Sequence, residues 1–316
     1  MIQNMQNSRR EQLGQFIPIH YHGQMLANAE RMQAFKNSIQ AVVRPGCKVL
    51  ELGGGTGVLS FFAAECGAEV TCLDANPEMI QWARSLLSQN PGGQHIRLIL
   101  ADAMEYMPEA PVDVVICEML HSGLLREQQL RVLDRFRHLH AQRFGCVPRF
   151  LPDTTLLAVQ PIQQNYNFFG YHAPIPLFQH PTTEQPDTVG LGDPVVYSVI
   201  EYQEPQSLLQ KADFVFESHA AGTLNALRFI TKNLVAILAT EHRSIDWHCQ
   251  YLVLPLAEPV QLQPGDRIRL RFHYLAGAEI EQLQRALLVQ RLPQGDINLL
   301  FQGNVALFPS ARTAHA

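Results

Sequence analysis

VLELGGGTGVLSFFAAECGAEVTCLDAN, residues 49–76, decides the fold. The apolar KVLELG reads as a short buried strand. Residues 56–66 read as a helix, with Gly67 at its stop, and VTCLDA as a second strand. Between the first strand and the helix lie three consecutive glycines. Their missing side chains let the backbone turn tightly and let a ligand approach the main chain closely. The helix start behind them offers free N–H groups and partial positive charge.

Working outward, PEMIQWARSLLS reads as a second helix opened by Pro77. IRLILAD and VDVVICEML read as further strands, and LREQQLRVLDRFRHLH as a third helix with Leu130, Leu133 and Phe136 on one face. Upstream, residues 22–43 place Met25, Leu26, Met32, Phe35 and Ile39 at helical spacing, and Pro45-Gly46 ends that helix. Strands alternating with helices of this length imply right-handed βαβ units around a parallel sheet. From about residue 151 the texture changes to strand-like runs: TTLLAVQPI, PVVYSVIEY, LVAILAT, QYLVLPL, RIRLRFHYL, RALLVQRL and VALF. In RIRLRFHYL, Ile268, Leu270, Phe272 and Tyr274 alternate with Arg267, Arg269, Arg271 and His273, one face buried and one wet. The expected architecture is α/β: a Rossmann-like domain over residues 1–150, then a mainly β, barrel-like domain over 151–316. Residues 165–194, rich in proline, glycine and aromatics, are too long for an ordinary loop.

With 316 residues, 47% of them hydrophobic, the chain can bury a large core. A net charge of −5 argues against a nucleic-acid partner and leaves room for cationic substrates. The six cysteines show no CxxC and no metal-ligand spacing, and read as reduced, mostly buried thiols. The N-terminus lacks an apolar signal core, and no stretch approaches the roughly 18 apolar residues of a membrane helix. The expected compartment is the cytoplasm, with no membrane partner and no metal.

The glycine loop reads Glu51-x-Gly53-x-Gly55-x-Gly57, which is not the dinucleotide spacing G-x-G-x-x-G. With an acid two residues ahead of the first spaced glycine, it resembles the first motif of Rossmann-like S-adenosylmethionine methyltransferases. That resemblance implies S-adenosyl-L-methionine as cofactor. Asp74 ends the next strand, where an acid can accept hydrogen bonds from both ribose hydroxyls. Asp102 ends the third, where one can accept from an adenine amino group. A tight strand–helix turn would account for the glycines alone, and a solvated strand-end acid for Asp102 alone.

CEMLHSGLLREQQLRVL carries Glu118 and Glu127, nine residues apart. It resembles the double-glutamate loop of protein arginine N-methyltransferases, SEWMGYxLLYESML. HGQMLANAERMQAF is similar to that family's HEEMLKDxVRTxxY helix, VPRFLPDTTLLAVQPI to its GLIFPDRATLYVAPI junction, and IDWHCQYLVLPLAEPVQLQPGDRI to its THWKQTVFYLEEPLTVKKGDxI. The matches run from about His22 to Arg271.

The resemblance implies that Glu118 and Glu127 are catalytic. It also implies that Arg31 pairs with the cofactor's methionyl carboxylate, that His22 and Met25 line the site, and that Asp246 and Trp247 meet the acceptor. A guanidinium, charged at all ordinary pH, fits between two carboxylates through parallel charge-assisted hydrogen bonds. The plain alternatives are a strand-end acid at Glu118, a surface pair of Glu127 with Arg131, a solvated Arg31, a helix-start His22 and a core Met25.

The sequence departs from the family at the acceptor side: Met119-Leu120-His121-Ser122 replaces Trp-Met-Gly-Tyr, Ile245-Asp246-Trp247 replaces Thr-His-Trp, and Phe16 stands for a tyrosine. The expected acceptor is therefore a peptide or protein arginine, or alternatively a small guanidino or amino compound. A catalytically silent cofactor-binding subunit is a third reading. The family's segment at 165–194 is a dimerisation arm, which implies a homodimer; a lid would be the alternative use.

Overall fold

The structure, a computed structural model, describes residues 17–293. The expectations at Phe16 and at residues 305–308 lie outside the described residues.

A five-stranded parallel sheet has the order β3-β2-β1-β4-β5. Its strands are β1 (Lys48–Leu52), β2 (Glu69–Asp74), β3 (Arg97–Leu100), β4 (Val114–Cys117) and β5 (Arg149–Leu151). The central strands are nearly continuous in apolar burial, as strands covered on both faces must be. The helices are α1 (Ile19–Ala27), α2 (Ala29–Val42), α3 (Val58–Glu65), α4 (Pro77–Ser88) and α5 (Gln129–Phe144). Helix α4 begins where the sequence places it, because Pro77 occupies its first turn and Asn76 accepts from the Glu78 N–H.

Residues 22–43 form two helices rather than the single one expected. Asn28 breaks them apart: its backbone is extended, and its side chain accepts from the Arg31 N–H at 3.0 Å, capping α2. The two pieces then have different jobs. Phe35 and Ile39 of α2 are fully buried, whereas α1 buries no residue completely and lies over the glycine loop.

Past residue 151 the chain forms antiparallel sheets. The larger has the path β10-β6-β13-β15-β9: β6 (Thr154–Gln164), β9 (Leu177–Gln179), β10 (Thr188–Gly190), β13 (Gly222–Leu238) and β15 (Tyr251–Leu262). Strand β11 (Val195–Glu201) also pairs with β6, and β14 (Arg243–His248) with β13. The smaller is β12 (Leu209–Glu217), β16 (Arg267–Leu275) and β17 (Leu288–Arg291). The alternation expected in β16 is present: Ile268, Leu270, Phe272 and Tyr274 are all buried. They pack with Phe229, Leu252 and Leu254 of the larger sheet.

Two expected runs change. LVAILAT is the end of a 17-residue strand, and the start of RALLVQRL closes the helix α6 (Ile280–Ala286) before β17. Residues 165–194 add β9 and β10 to the larger sheet, and β7 (Asn167–Phe168) with β8 (Tyr171–His172) forms a projecting hairpin. Phe169 and Tyr171 at its tip are exposed.

Asp153 joins the two halves. Its carboxylate accepts from Arg149 Nε at 3.1 Å, Arg149 Nη2 at 2.8 Å and the Ile237 N–H at 2.6 Å. Its backbone bonds Leu234 and Tyr202. Asp153→Ala removes the ion pair of Arg149, which keeps its bond to the Ile237 carbonyl at 2.9 Å, and leaves the Ile237 N–H without its acceptor. The expected loss is about 2–3 kcal/mol of stability, read as a lower denaturant midpoint at unchanged slope.

Candidate active site

The carboxyl ends of β1, β2, β3 and β4 open into one cavity of about 470 Å³. Its lining includes His22, Met25, Arg31, Glu51, Gly53, Gly55, Asp74, Asp102, Glu118 and Glu127. That volume lies within the roughly 300–1,000 Å³ of ordinary small-molecule sites.

The glycine loop is the floor. Gly53, Gly55 and Gly57 have φ of +70°, +54° and +79°, a region that side chains resist. A Cβ on Gly55 would stand 2.8 Å from His22 Cε1, and one on Gly54 2.2 Å from Cys72 Sγ. The loop thus passes between α1 above and β2 below with no room for side chains. Glu51 lies underneath, 4% exposed, accepting from the Ser60 N–H at 2.9 Å and from the Ser60 hydroxyl. Burial raises its pKa to about 7 despite the Ser60 bonds. Glu51 therefore ties the loop to α3 as well as edging the cavity.

Asp74 accepts from the Gly55 N–H at 2.9 Å and the Asn76 N–H at 2.8 Å, and burial raises its pKa. A carboxylate has about four lone-pair sites, so acceptor capacity remains for ribose hydroxyls. Asp102 accepts from the Met104 N–H at 2.8 Å and faces the same cavity. His22 is held below its usual pKa, chiefly by burial.

Both glutamates reach this cavity by different routes. Glu118 directly follows β4. Glu127 precedes α5, which starts at Gln129 and not at the expected residue 125, so Glu127 belongs to the loop. The connecting turn is conformationally costly: Leu124 and Arg126 have φ of +52° and +63°. Contacts from the antiparallel sheets hold it there. Thr231 Oγ1 accepts from the Gly123 N–H at 2.7 Å, and the Tyr274 hydroxyl donates to the Gly123 carbonyl at 2.9 Å. Gln129, fully buried, accepts from the Met119 N–H at 2.9 Å and donates to the Cys117 carbonyl at 2.8 Å, clamping the backbone on both sides of Glu118. Sequence reasoning passes over Gln129, Thr231 and Tyr274. Gln129 leaves a trace as an amide inside an amphipathic helix start, and Tyr274 as a buried-face position of β16, but neither pattern points to the site.

Burial, and then the neighbouring Glu118, push Glu127 up to about pKa 8. Arg31, 7% exposed, makes a salt bridge to Glu118. It was expected to meet the cofactor's carboxylate; in this structure its guanidinium occupies one glutamate of the pair.

Asp246 and Trp247 are not brought to the cavity. They line a separate groove with Glu30, Pro181, Thr182, His248 and Tyr251. Asp246 pairs with Lys232 at 2.7 Å, and Trp247 packs edge-on against Phe35. Strand β14 carries both along the edge of β13.

The residues present fit S-adenosylmethionine. The loop is a cradle that any Cβ would fill, Asp74 and Asp102 stand at successive strand ends, and the buried Arg31 Nε lacks a hydrogen-bond partner that a carboxylate would supply.

Comparison with known proteins agrees. Residues 49–142 match the family model described as a methyltransferase domain. An uncharacterized protein of Methanothermobacter thermautotrophicus is 26% identical over 85% of this chain and 97% of its own length. A probable histone-arginine methyltransferase (CARM1) of rice, Oryza sativa, is 31% identical over 46% of this chain, but only 29% of its own length. The chain thus spans well under half of that named relative. In fold, it is similar to the Trypanosoma brucei PRMT1 enzyme-prozyme heterotetrameric complex with AdoHcy, at TM-score 0.66 and 18% identity, covering 86% of this chain and 96% of that one. The chain is an S-adenosylmethionine-dependent methyltransferase resembling the protein arginine methyltransferases.

Proposed function

We propose that this methyltransferase transfers a methyl group to a guanidinium nitrogen, that of an arginine in a peptide or protein. The observation that carries the reading is the cavity itself: Glu118 and Glu127 face the same space as the glycine loop, and a guanidinium, that of Arg31, already rests on Glu118. When bound, S-adenosylmethionine supplies an activated methyl on a positively charged sulfur. Gly53, Gly55, Asp74 and Asp102 hold its nucleoside, and Arg31 holds its carboxylate. Glu118 and Glu127 grip the acceptor by charge-assisted hydrogen bonds, which fixes one terminal nitrogen toward the methyl and saves orientational entropy. Their fixed negative charge stabilises the positive charge as it passes to the guanidinium; the methylated nitrogen gives up one of its protons, so the product guanidinium again carries a single charge and the sulfur leaves neutral. In this reading residues 1–150 serve the donor, and residues 151–316 hold the double-glutamate turn in place and shape the acceptor side.

A small guanidino or amino compound is the second reading, supported by the substitutions at Met119–Ser122 and by Asp246 and Trp247 standing outside the cavity. A silent cofactor-binding subunit is disfavoured by the presence of both glutamates. The deciding experiment supplies labelled methyl donor with arginine peptides, with free guanidino and amino compounds, and with neither. Transfer to the peptides supports the first reading, transfer to the small compounds the second, and none at all the third.

The raised pKa of Glu127 sets a pH dependence. Between about pH 4.5 and 8 the folded protein keeps a proton that the unfolded chain has released. That contribution to stability is complete below the unfolded pKa and falls as pH rises through the window. A bound guanidinium favours the charged carboxylate, so acceptor binding releases this proton and tightens toward pH 8. Glu127→Gln is expected to flatten both trends, measured by melting and by binding at a series of pH values.

The hairpin tip with Phe168, Phe169 and Tyr171 exposed supports a homodimer built on residues 165–194. The free cysteines, three of them buried, suit a reducing compartment such as the cytoplasm. Among the described residues, no helix is long and apolar enough to cross a membrane.

A further inference from the structure

Arg31 is poorly satisfied where it lies. Nη2 donates to Glu118 Oε2. Nη1 reaches only the Met25 carbonyl at 3.5 Å and the Met32 sulfur at 3.4 Å, and the buried Nε has no hydrogen-bond partner. A guanidinium carries five donors; this one has one strong bond, two long ones from Nη1, and a buried Nε–H with no partner. Glu118 is equally committed: with its side chain 9% exposed, it holds Arg31 in a site where two like-charged guanidiniums would repel. Both residues line the cavity with the glycine loop, so a carboxylate entering there meets Arg31 directly.

We propose that Arg31 is a built-in competitor for the acceptor's place on Glu118, and that the donor's carboxylate, rather than its adenosine, draws Arg31 away. The proposal rests on the guanidinium reading above and adds an order to it. The acceptor meets an open clamp only after a carboxylate-bearing donor or product is seated. Arg31 is here a positioning residue that acts through Glu118. No bond forms or breaks; one ion pair is exchanged for two, Arg31 with the donor carboxylate and Glu118 with the acceptor. Because binding free energies are linked, the acceptor must tighten the donor's carboxylate-bearing product by the same factor.

The test titrates ethylguanidinium into the full chain alone, with saturating S-adenosylhomocysteine, and with saturating methylthioadenosine, which keeps the nucleoside and sulfur but lacks the carboxylate. S-adenosylhomocysteine is expected to tighten ethylguanidinium by about tenfold or more, within the usual range of coupling between sites, with methylthioadenosine leaving it nearly unchanged. Arg31→Gln should bind ethylguanidinium without nucleoside about as well as the product-loaded wild type, and show no coupling. Equal tightening by both nucleosides, or coupling retained in Arg31→Gln, overturns the proposal. The wild-type comparison stands even if that variant folds poorly. Absence of ethylguanidinium binding in every state overturns this inference together with the clamp. Normal coupling without methyl transfer to any guanidino compound would sink the transfer reading alone and leave the exchange intact.

Discussion

Glu118→Gln is expected to lower turnover by roughly 10³-fold while the protein still binds S-adenosylmethionine. The substitution is nearly isosteric, and the backbone on both sides stays fixed by Gln129. What changes is charge. An amide offers one acceptor oxygen, and its NH₂ faces a guanidinium that has only donors, so the acceptor loses both its grip and its orientation. The loss should fall on kcat as well as KM, because the charge is needed most as the methyl passes. A second consequence follows from Arg31. Its buried guanidinium loses its ion-pair partner, and removing one member of such a pair costs about 3–5 kcal/mol. The ligand-free variant should therefore melt below wild type. A cofactor carboxylate replaces the lost partner, so the melting shift on adding S-adenosylhomocysteine should be larger than in wild type. Near-normal turnover, or a smaller shift, would contradict this account of both residues.

Gly55→Arg is expected to remove cofactor binding entirely. At φ +54° a side chain is strained at the start, and its Cβ would lie 2.8 Å from His22 Cε1 and 3.0 Å from His22 Nδ1. Relief requires either the loop to flatten, which breaks the Gly55 N–H bond to Asp74, or α1 to lift, which opens the cavity roof. Either way the nucleoside loses a wall. At a ligand concentration of about 100 Kd the wild type gains roughly 2.7 kcal/mol, a melting shift of several degrees. The variant should show none. Gly23→Ala, in α1 with open space around the added Cβ, is the matched control and should keep the full shift. A full shift in Gly55→Arg would mean that the cofactor binds elsewhere.

What was legible in the sequence follows from where each instruction is written. Helix α4 carries its own proline start and asparagine cap, and β16 its own alternation, so both could be read locally. Strand β13 could be read only in its last third. Its first part, GTLNALRF, mixes Asn225 and Arg228 into the run, and those side chains are accounted for by the neighbouring strand β6: Asn225 by Gln164, and Arg228 by Gln160. The break at Asn28 was hidden because apolar spacing runs across it, although Met25 and Leu26 edge the cavity and Phe35 and Ile39 fill the core.

The candidate site divides in the same way. Glycines, strand-end acids and the two glutamates sit on short segments whose geometry is set nearby. The props of the double-glutamate turn, Thr231 and Tyr274, arrive from more than a hundred residues away; the alternation of β16 marks Tyr274 as buried, but nothing local says that its hydroxyl meets Gly123. The family resemblance puts Asp246 and Trp247 at the acceptor, but the path of β14 sends them to a different groove.

The most direct test of the paired-carboxylate clamp is to follow a labelled methyl group from S-adenosylmethionine into arginine peptides with wild type and with the Glu118→Gln, Glu127→Gln double variant. Methyl label on guanidinium nitrogen with wild type, lost in the double variant while cofactor still raises its melting temperature, is the predicted result. Label on any other atom, or transfer that survives removal of both carboxylates, would contradict it.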